Sequence, residues 1–314
     1  MNKNILITGG AGFIGSILSN FLSKKGFNVF VIDNLNTGKK SNLKQKIKFY
    51  KSNLNNLEKI NLILKKNNIN TIFHFAAIIT NPKNISDKKK IINTNVGQTE
   101  KLLKALHNTN VKNFIFSSSA AVYGNQKNII KENAKIKPVN EYGYSKKRGE
   151  YLVSNYCKNF DVKFANLRFF NVIGGDKKQK IFSNNNYSSL KNNLLKSYTN
   201  NKRFSIFYKN KKNTPIRDFI HVLDVVKISY RIFLLLKKKK SITINVGRGL
   251  PVDVINFVKI FEKTINFRLV KNYKKISSKE IFYSLANIDK LKKTKVIKKF
   301  RSLKLMIEDM IDLK

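Results

Sequence analysis

Cysteine, histidine and acidic residues are all scarce in this chain, and each scarcity excludes something. One cysteine, Cys157, in 314 residues rules out an intrachain disulfide and suits a reducing compartment. The three histidines, His74, His107 and His221, stand far apart with no ligand spacing, so no metal site is expected. No apolar run approaches the roughly 20 residues of a spanning helix. The opening MNKNILITGG reaches glycine too early for the apolar core of a signal peptide. No proline- or glycine-rich linker and no internal repeat interrupts the chain. A cytoplasmic protein with no membrane partner is expected.

Acid is outnumbered, with 18 Asp+Glu against 63 Lys+Arg and a formal net charge of +45. Such an excess attracts nucleic acid and anionic lipid. Here it is nearly all lysine, accompanies abundant asparagine and isoleucine, and runs from Lys3 to Lys314. A dedicated nucleic-acid binder clusters its basic residues and interleaves arginine and aromatics. The charge therefore reads as compositional drift, and no specific nucleic-acid partner is expected. The alternative of another class is a non-catalytic, basic nucleic-acid-binding protein. With 42% hydrophobic residues, the chain is long enough for one large domain or two modest ones.

Over the first 170 residues or so, short β-branched runs alternate with longer helical patterns. Strands are predicted at 4–8, 28–32, 47–50, 71–75, 112–116 and 162–168. Helices are predicted at 13–25, 57–67, 89–107 and 144–159. Continuous apolar strands alternating with helices specify an α/β fold, a doubly wound parallel sheet covered on both faces. After Asn171 the rhythm changes. Polar runs (176–180, 184–186) precede helical patterns at 190–200, 222–236, 252–263 and 303–311, with a strand at 242–246. The expected organisation is a Rossmann-type domain over 1–171, partly rejoined by 215–247, and a smaller C-terminal α/β lobe over 172–314. The lysine run 237–240 reads as a solvated helix end.

The segment Thr8-Gly9-Gly10-Ala11-Gly12-Phe13-Ile14-Gly15 follows a strand and opens a helix. In that context its glycines permit a tight turn, backbone approach to a pyrophosphate and close helix–strand packing. The helix N-terminus adds free N–H groups and a positive dipole end. Asp33 ends the second strand, eighteen residues after Gly15. A carboxylate there accepts both adenosine ribose hydroxyls and repels a 2′-phosphate, favouring NAD over NADP. Its plainer role is that of a turn residue in Asp-Asn-Leu-Asn-Thr-Gly.

Downstream, the strand at 112–116 runs into Ser117-Ser118-Ser119-Ala120-Ala121-Val122-Tyr123-Gly124. Tyr142-Gly143-Tyr144-Ser145-Lys146 follows at the head of a helix. One-turn spacing puts Tyr142 and Lys146 on one helix face.

With these motifs the chain resembles the extended short-chain dehydrogenase/reductases, in the branch of nucleotide-sugar epimerases and dehydratases. The pattern is most similar to that of the UDP-glucose 4-epimerases. TGGAGFIGS, VIDNLNTG, FHFAA, NTNVGQT, FIFSSSAAVYG, YGYSK, LRFFNVIG, IRDFIHVLDV and INVGRG carry it across almost the whole chain. The resemblance implies Tyr142 as catalytic base, Lys146 as its partner on the nicotinamide ribose, and Ser119 as hydrogen-bond partner of the sugar hydroxyl. An ordinary tyrosine is a poor base at pH 7. A nearby ammonium and a positive nicotinamide ring are expected to lower its pKa. The implied chemistry is hydride removal from carbon 4 of the sugar to tightly bound NAD, and its return to the opposite face. Another epimerase, a reductase or a dehydratase of the family is the alternative. Dehydratases carry an acidic pair just after the serine, where this chain has Ala120 and Ala121, which favours an epimerase.

The resemblance further implies NAD contacts from Gly9, Gly12, Phe13, Ile14, Gly15, Asp33, Asn34, Asn53, Leu54, Phe75, Ala76, Ala77, Asn95, Ser117 and Phe170. The nucleotide-sugar substrate falls to Ser119, Asn171, Asn193, Phe207 and Arg217, whose planar fork suits a diphosphate. An ion pair with Asp218 is the alternative role of Arg217. A homodimer through the helices near Leu102 and Leu152 is implied. Departures from the family pattern are Asn53 for an adenine-binding aspartate, Ile79 for a cofactor-contacting lysine, and Gln98 for glycine. Over 272–280, where an arginine-rich closing loop is expected, the chain reads NYKKISSKE.

Overall fold

The computed structural model describes residues 3–79, 84–182, 190–200, 202–209, 213–236, 240–276 and 281–311. Its first half comprises strands β1 (Asn4–Thr8), β2 (Asn28–Asp33), β3 (Lys48–Lys51), β4 (Thr71–His74), β5 (Asn113–Ser119) and β6 (Lys163–Phe169). Between them run helices α1 (Phe13–Lys24), α2 (Leu57–Lys66), α3 (Ile85–Ile92), α4 (Gln98–Lys104) and α5 (Glu141–Asn159). The second half is shorter in its elements. It runs through β7 (Asn171–Ile173), β8 (Gly175–Asp176), β9 (Ile181–Phe182), α6 (Leu190–Thr199), β10 (Phe204–Tyr208), β11 (Ile216–His221) and α7 (Val222–Leu236). It closes with β12 (Ile242–Val246), β13 (Pro251–Asp253), α8 (Val254–Ile265), β14 (Lys271–Lys275), β15 (Tyr283–Ser284), α9 (Asp289–Lys293) and α10 (Leu303–Glu308).

Seven strands form one parallel sheet in the order β12-β6-β5-β4-β1-β2-β3. The two-residue pleat sends alternate side chains to opposite faces. Thus Ile5 and Ile7 join a core with Ile17, Leu18 and the α7 residues Val225 and Ile232. Leu6 joins a second core with Ile60, Leu64, Leu102 and Val153. Both faces are covered, as in a doubly wound Rossmann-type sheet. Chain direction across the sheet reverses between β1 and β4, leaving a crevice at the C-terminal strand ends, where such folds bind ligands.

Three of the asparagines work at helix starts. Asn56, Asn84 and Asn140 cap α2, α3 and α5, each side chain accepting a backbone N–H in the first turn. Each such cap is worth about 1 kcal/mol over alanine. The Asn140 cap starts α5 at Glu141, three residues before the pattern suggested, so Tyr142 lies within its first turn. The predicted helix over 89–107 is instead two helices joined by a π-helical turn at Asn93–Gly97.

The C-terminal elements enclose a third core around Phe204, Phe219, Phe257, Phe261 and Met306. There β11 pairs with β7 and β15 in parallel and with β13 antiparallel. Residues 271–275 are not a loop. They form β14, which pairs in parallel with β10. Most of the run 237–240, the stretch 184–186 and residues 277–280 lie outside the described residues. Among the described residues, no helix is long and apolar enough to cross a membrane.

Candidate active site

A cleft of about 930 Å³ opens at the C-terminal edge of the sheet, between the glycine turn and the C-terminal lobe. Gly9, at φ +67°, closes the turn by donating its N–H to the Ile32 carbonyl at 2.9 Å. A Cβ there would stand 2.6 Å from the Ala76 nitrogen, and one on Gly15 would overlap the Gly9 carbonyl oxygen. Only glycine permits both the left-handed backbone and the close approach. Gly12 caps α1 without a side-chain acceptor, so the first N–H groups of the helix face the cleft.

Asp33, nearly buried, receives the Ala11 N–H on Oδ2 at 3.0 Å and the Leu35 N–H on Oδ1 at 2.8 Å. These bonds fix the carboxylate against the turn, and each oxygen keeps a lone pair for a ligand hydroxyl. Beside it, Asn34 Nδ2 donates to Asn53 Oδ1 at 2.8 Å. Asn34, Asn53, Leu54, Phe75, Ala76 and Ala77 line the same end of the cleft.

Ser117, Ser119, Tyr142 and Lys146 converge at the other end. The strand end and the first two turns of α5 bring them together: Tyr142 hydrogen-bonds Ser119, and Lys146 Nζ donates to the Ser117 carbonyl at 2.7 Å. Ser119 Oγ also accepts the Ala121 N–H at 3.2 Å, so it caps its own strand end as well as meeting Tyr142. Phe170 and Asn171 close this end from the start of the C-terminal lobe.

The electrostatics of the pair differ from expectation. Burial pushes the Tyr142 phenol up to about 12, against a smaller opposing effect of the Ser119 hydrogen bond. Burial also pulls Lys146 down to about 7, while the Glu150 carboxylate acts to raise it. The protein alone therefore does not hold Tyr142 as phenolate. The Lys146 ammonium points to the Ser117 carbonyl and stands 5.8 Å from the centroid of the Tyr142 ring.

The profile of the NAD dependent epimerase/dehydratase family matches residues 5–247. The chain belongs to this family. It is 31% identical over 288 residues to a UDP-glucose 4-epimerase of Lactobacillus helveticus, covering 90% of this chain and 84% of that protein. Among solved structures it is similar to the UDP-glucose-4-epimerase of Stenotrophomonas maltophila with bound NAD and formylated UDP-arabinopyranose. The TM-score there is 0.91 at 26% identity, over 98% of this chain and 96% of that one. It is also similar to the UDP-glucuronic acid 4-epimerase of Bacillus cereus in complex with UDP-glucuronic acid and NAD. That match has a TM-score of 0.85 at 26% identity and covers 98% and 97%.

NAD is the cofactor of this epimerase/dehydratase family, and the glycine cradle, the bare α1 N-terminus and Asp33 fit it. Gly9, Gly12, Phe13, Ile14 and Gly15 all line the cleft where a pyrophosphate would lie.

Four expected contacts do not line the cleft. Asn95 sits beneath it in the π-helical turn, bonded to Ile78 N and O at 2.7 and 2.9 Å and to Ser145 Oγ at 3.0 Å. That side chain pins the Ile78 backbone from below. Asn193 lies on α6 and Phe207 on β10, both outside the cleft lining. Arg217 donates to the carbonyls of Ile216, Ile281 and Phe282. Its suggested ion pair with Asp218 is not what holds the loop. Asp218 accepts the N–H groups of Arg248, Gly249 and Ala286 instead, because adjacent strand residues point to opposite faces.

Sequence reasoning missed the layer beneath the pair. Arg168 grips Glu150 through two bonds of 2.8 and 2.7 Å, and Ser118 Oγ donates to the same carboxylate. Arg168 also donates to the Tyr123 hydroxyl at 2.7 Å, which in turn donates to Asn245 at 2.6 Å. The signal was the spacing of Lys146 and Glu150, one turn apart on α5. Under the glycine turn, His74 lies between Thr8 and Thr99 hydroxyls at 2.6 and 2.8 Å, and burial lowers it to about 3.

Proposed function

We propose that this chain is an NAD-dependent UDP-sugar 4-epimerase whose interconverted pair is UDP-glucose and UDP-galactose. The observation that carries the reading is the Ser119–Tyr142 hydrogen bond beside Lys146, in a cleft that also holds the glycine turn and Asp33. The 4-epimerases among its relatives and neighbours, named for glucose and glucuronic acid, support the reaction class. Ala120 and Ala121, in a tight turn directly after Ser119, carry no acid or base for an elimination.

Bound here, NAD would supply a hydride acceptor that returns what it takes, so a sugar 4-hydroxyl becomes a ketone and is reduced again without external reductant. The chain does the rest. Gly9 to Gly15 and the α1 N-terminus hold a pyrophosphate, and Asp33 holds the ribose of adenosine. Asn34, Asn53 and Leu54 flank the adenine end. Lys146, fixed on the Ser117 carbonyl, presents its ammonium to the other ribose and to the Tyr142 ring. Tyr142 accepts the 4-hydroxyl proton at its phenolic oxygen and later returns it, while Ser119 Oγ holds that hydroxyl in line. Since burial alone keeps Tyr142 protonated, positive charge introduced beside it is what makes the proton transfer favourable. Asn171 reaches the substrate from the C-terminal wall.

A homodimer across α4 and α5 belongs to this reading. Tyr144 and Tyr151, one heptad apart on α5, are 54% and 57% exposed, and Arg148 lies over the Tyr151 ring.

The test is to denature the purified protein, assay released NAD, and incubate fresh protein with UDP-glucose and with UDP-galactose. Interconversion without added cofactor is the expected result. Released NAD with no interconversion would discard the glucose–galactose pair, and no NAD at all would discard the mechanism.

A further inference from the structure

Five charged side chains line the cleft among the described residues: Asp33, Asp87, Lys90, Lys146 and Lys191. Four belong to the sheet domain, on β2, α3 and α5. Lys191 is different. It comes from α6, on the C-terminal side, and only 5% of its surface is exposed. Beyond Asn171, that wall of the cleft is apolar, built by Val172, Ile173, Leu190, Phe219 and Phe257. Lys191 Nζ stands 5.7 Å from the centroid of the Phe13 ring, and Phe13 is the first residue of α1. The ammonium is thereby carried across the cleft to the mouth of the glycine turn.

We propose that Lys191 holds a ligand pyrophosphate from the C-terminal side, opposite the N–H groups of the glycine turn. This inference rests on the cleft being the dinucleotide and nucleotide-sugar site argued above. A pyrophosphate diester carries two negative charges, and backbone N–H groups at one helix end face only one side of it. A compact ammonium on the facing wall meets the oxygens that the turn leaves exposed, as a point charge without the geometry demanded of arginine. Burial pulls Lys191 down to about 8, and an anion brought against it works in the opposite direction. The chemistry is shared by two sources, the pyrophosphate of the dinucleotide and that of the nucleotide sugar. In either case the ligand would add an ionic tie to the Lys191–Phe13 contact that already spans the cleft.

The experiment uses full-length holoprotein, wild type against Lys191→Met, Lys191→Gln and Lys191→Arg. Two quantities are read: NAD retained per subunit after purification, and UDP affinity by calorimetry. A fall in retained NAD in the Met and Gln variants, with UDP affinity unchanged, assigns the contact to the dinucleotide. A UDP affinity weaker by about 10-fold or more, with NAD retained, assigns it to the nucleotide sugar. In both cases Lys191→Arg is expected to restore most of the loss. If NAD content and UDP affinity in both uncharged variants stay within about twofold of wild type, the proposal is overturned. Should Lys191→Met fail to fold, the Gln variant carries the same readouts. Holoprotein that binds UDP yet leaves UDP-glucose and UDP-galactose unchanged would discard the glucose–galactose pair and leave this assignment standing.

Discussion

Lys146 sits one helical turn beyond Tyr142, with its Nζ 5.8 Å from the Tyr142 ring centroid and 2.7 Å from the Ser117 carbonyl oxygen. The lysine is thus anchored to the sheet, and the tyrosine is free to face substrate with Ser119. Removing the phenolic oxygen should remove the proton transfer and little else. Tyr142→Phe is expected to lower the interconversion rate by about 10²–10⁴-fold while NAD stays bound. Turnover at the wild-type rate in that variant would refute the assignment.

Asp33 predicts cofactor choice. Its two oxygens are held by Ala11 and Leu35 N–H groups and point a negative charge at the ribose site. NADH is expected to bind more tightly than NADPH. Asp33→Ser should weaken NADH by about 10–100-fold through loss of charge-assisted hydrogen bonds, and should narrow the gap to NADPH. Fluorescence titration of both dinucleotides checks this; equal wild-type affinities would contradict it.

His74 predicts a component of acid sensitivity. Burial holds it neutral, down to about 3, between the Thr8 and Thr99 hydroxyls. An unfolded chain takes up a proton at His74 near pH 6.5, and the folded chain does not until far lower. The stability linked to this group is therefore complete above about pH 6.5 and is lost as pH falls toward about 3. Near pH 5, unfolding should bind about one proton fewer in His74→Gln than in wild type. Equal proton uptake in calorimetry would show that His74 is charged in the folded state.

The Glu150–Arg168 pair predicts a strong asymmetry. Both side chains are buried, and their two-pronged hydrogen-bonded ion pair lies under Lys146 and beside Ser118. Arg168→Met leaves a buried carboxylate without its partner and should cost about 3–5 kcal/mol. Replacing both residues with methionine should cost less than the sum of the single changes, because no charge is then stranded. Additive losses in urea unfolding would mean that the pair is uncoupled.

Much of the fold was legible because its information is local. Alternation in Asn4–Thr8 sends Ile5 and Leu6 to opposite cores. The glycine turn, Asp33 and the Tyr142–Lys146 spacing are likewise properties of one turn, one strand end and one helix. What only the tertiary structure decided depends on neighbours distant in sequence. Asn95 faces Ile78 and Ser145 because a π-helical turn rotates it beneath the cleft. Arg217 is spent on carbonyls 64 and 65 residues away. Lys191, nothing in its own segment marking it out, reaches Phe13 across the cleft. Burial pushes the Tyr142 phenol up, since desolvation is set by everything packed around a group and not by the residue one turn along. Sequence by itself determined the sheet, the turn and the spacing that brings Tyr142 and Lys146 to one face; burial and long-range partners decided which of the remaining polar groups line the cleft.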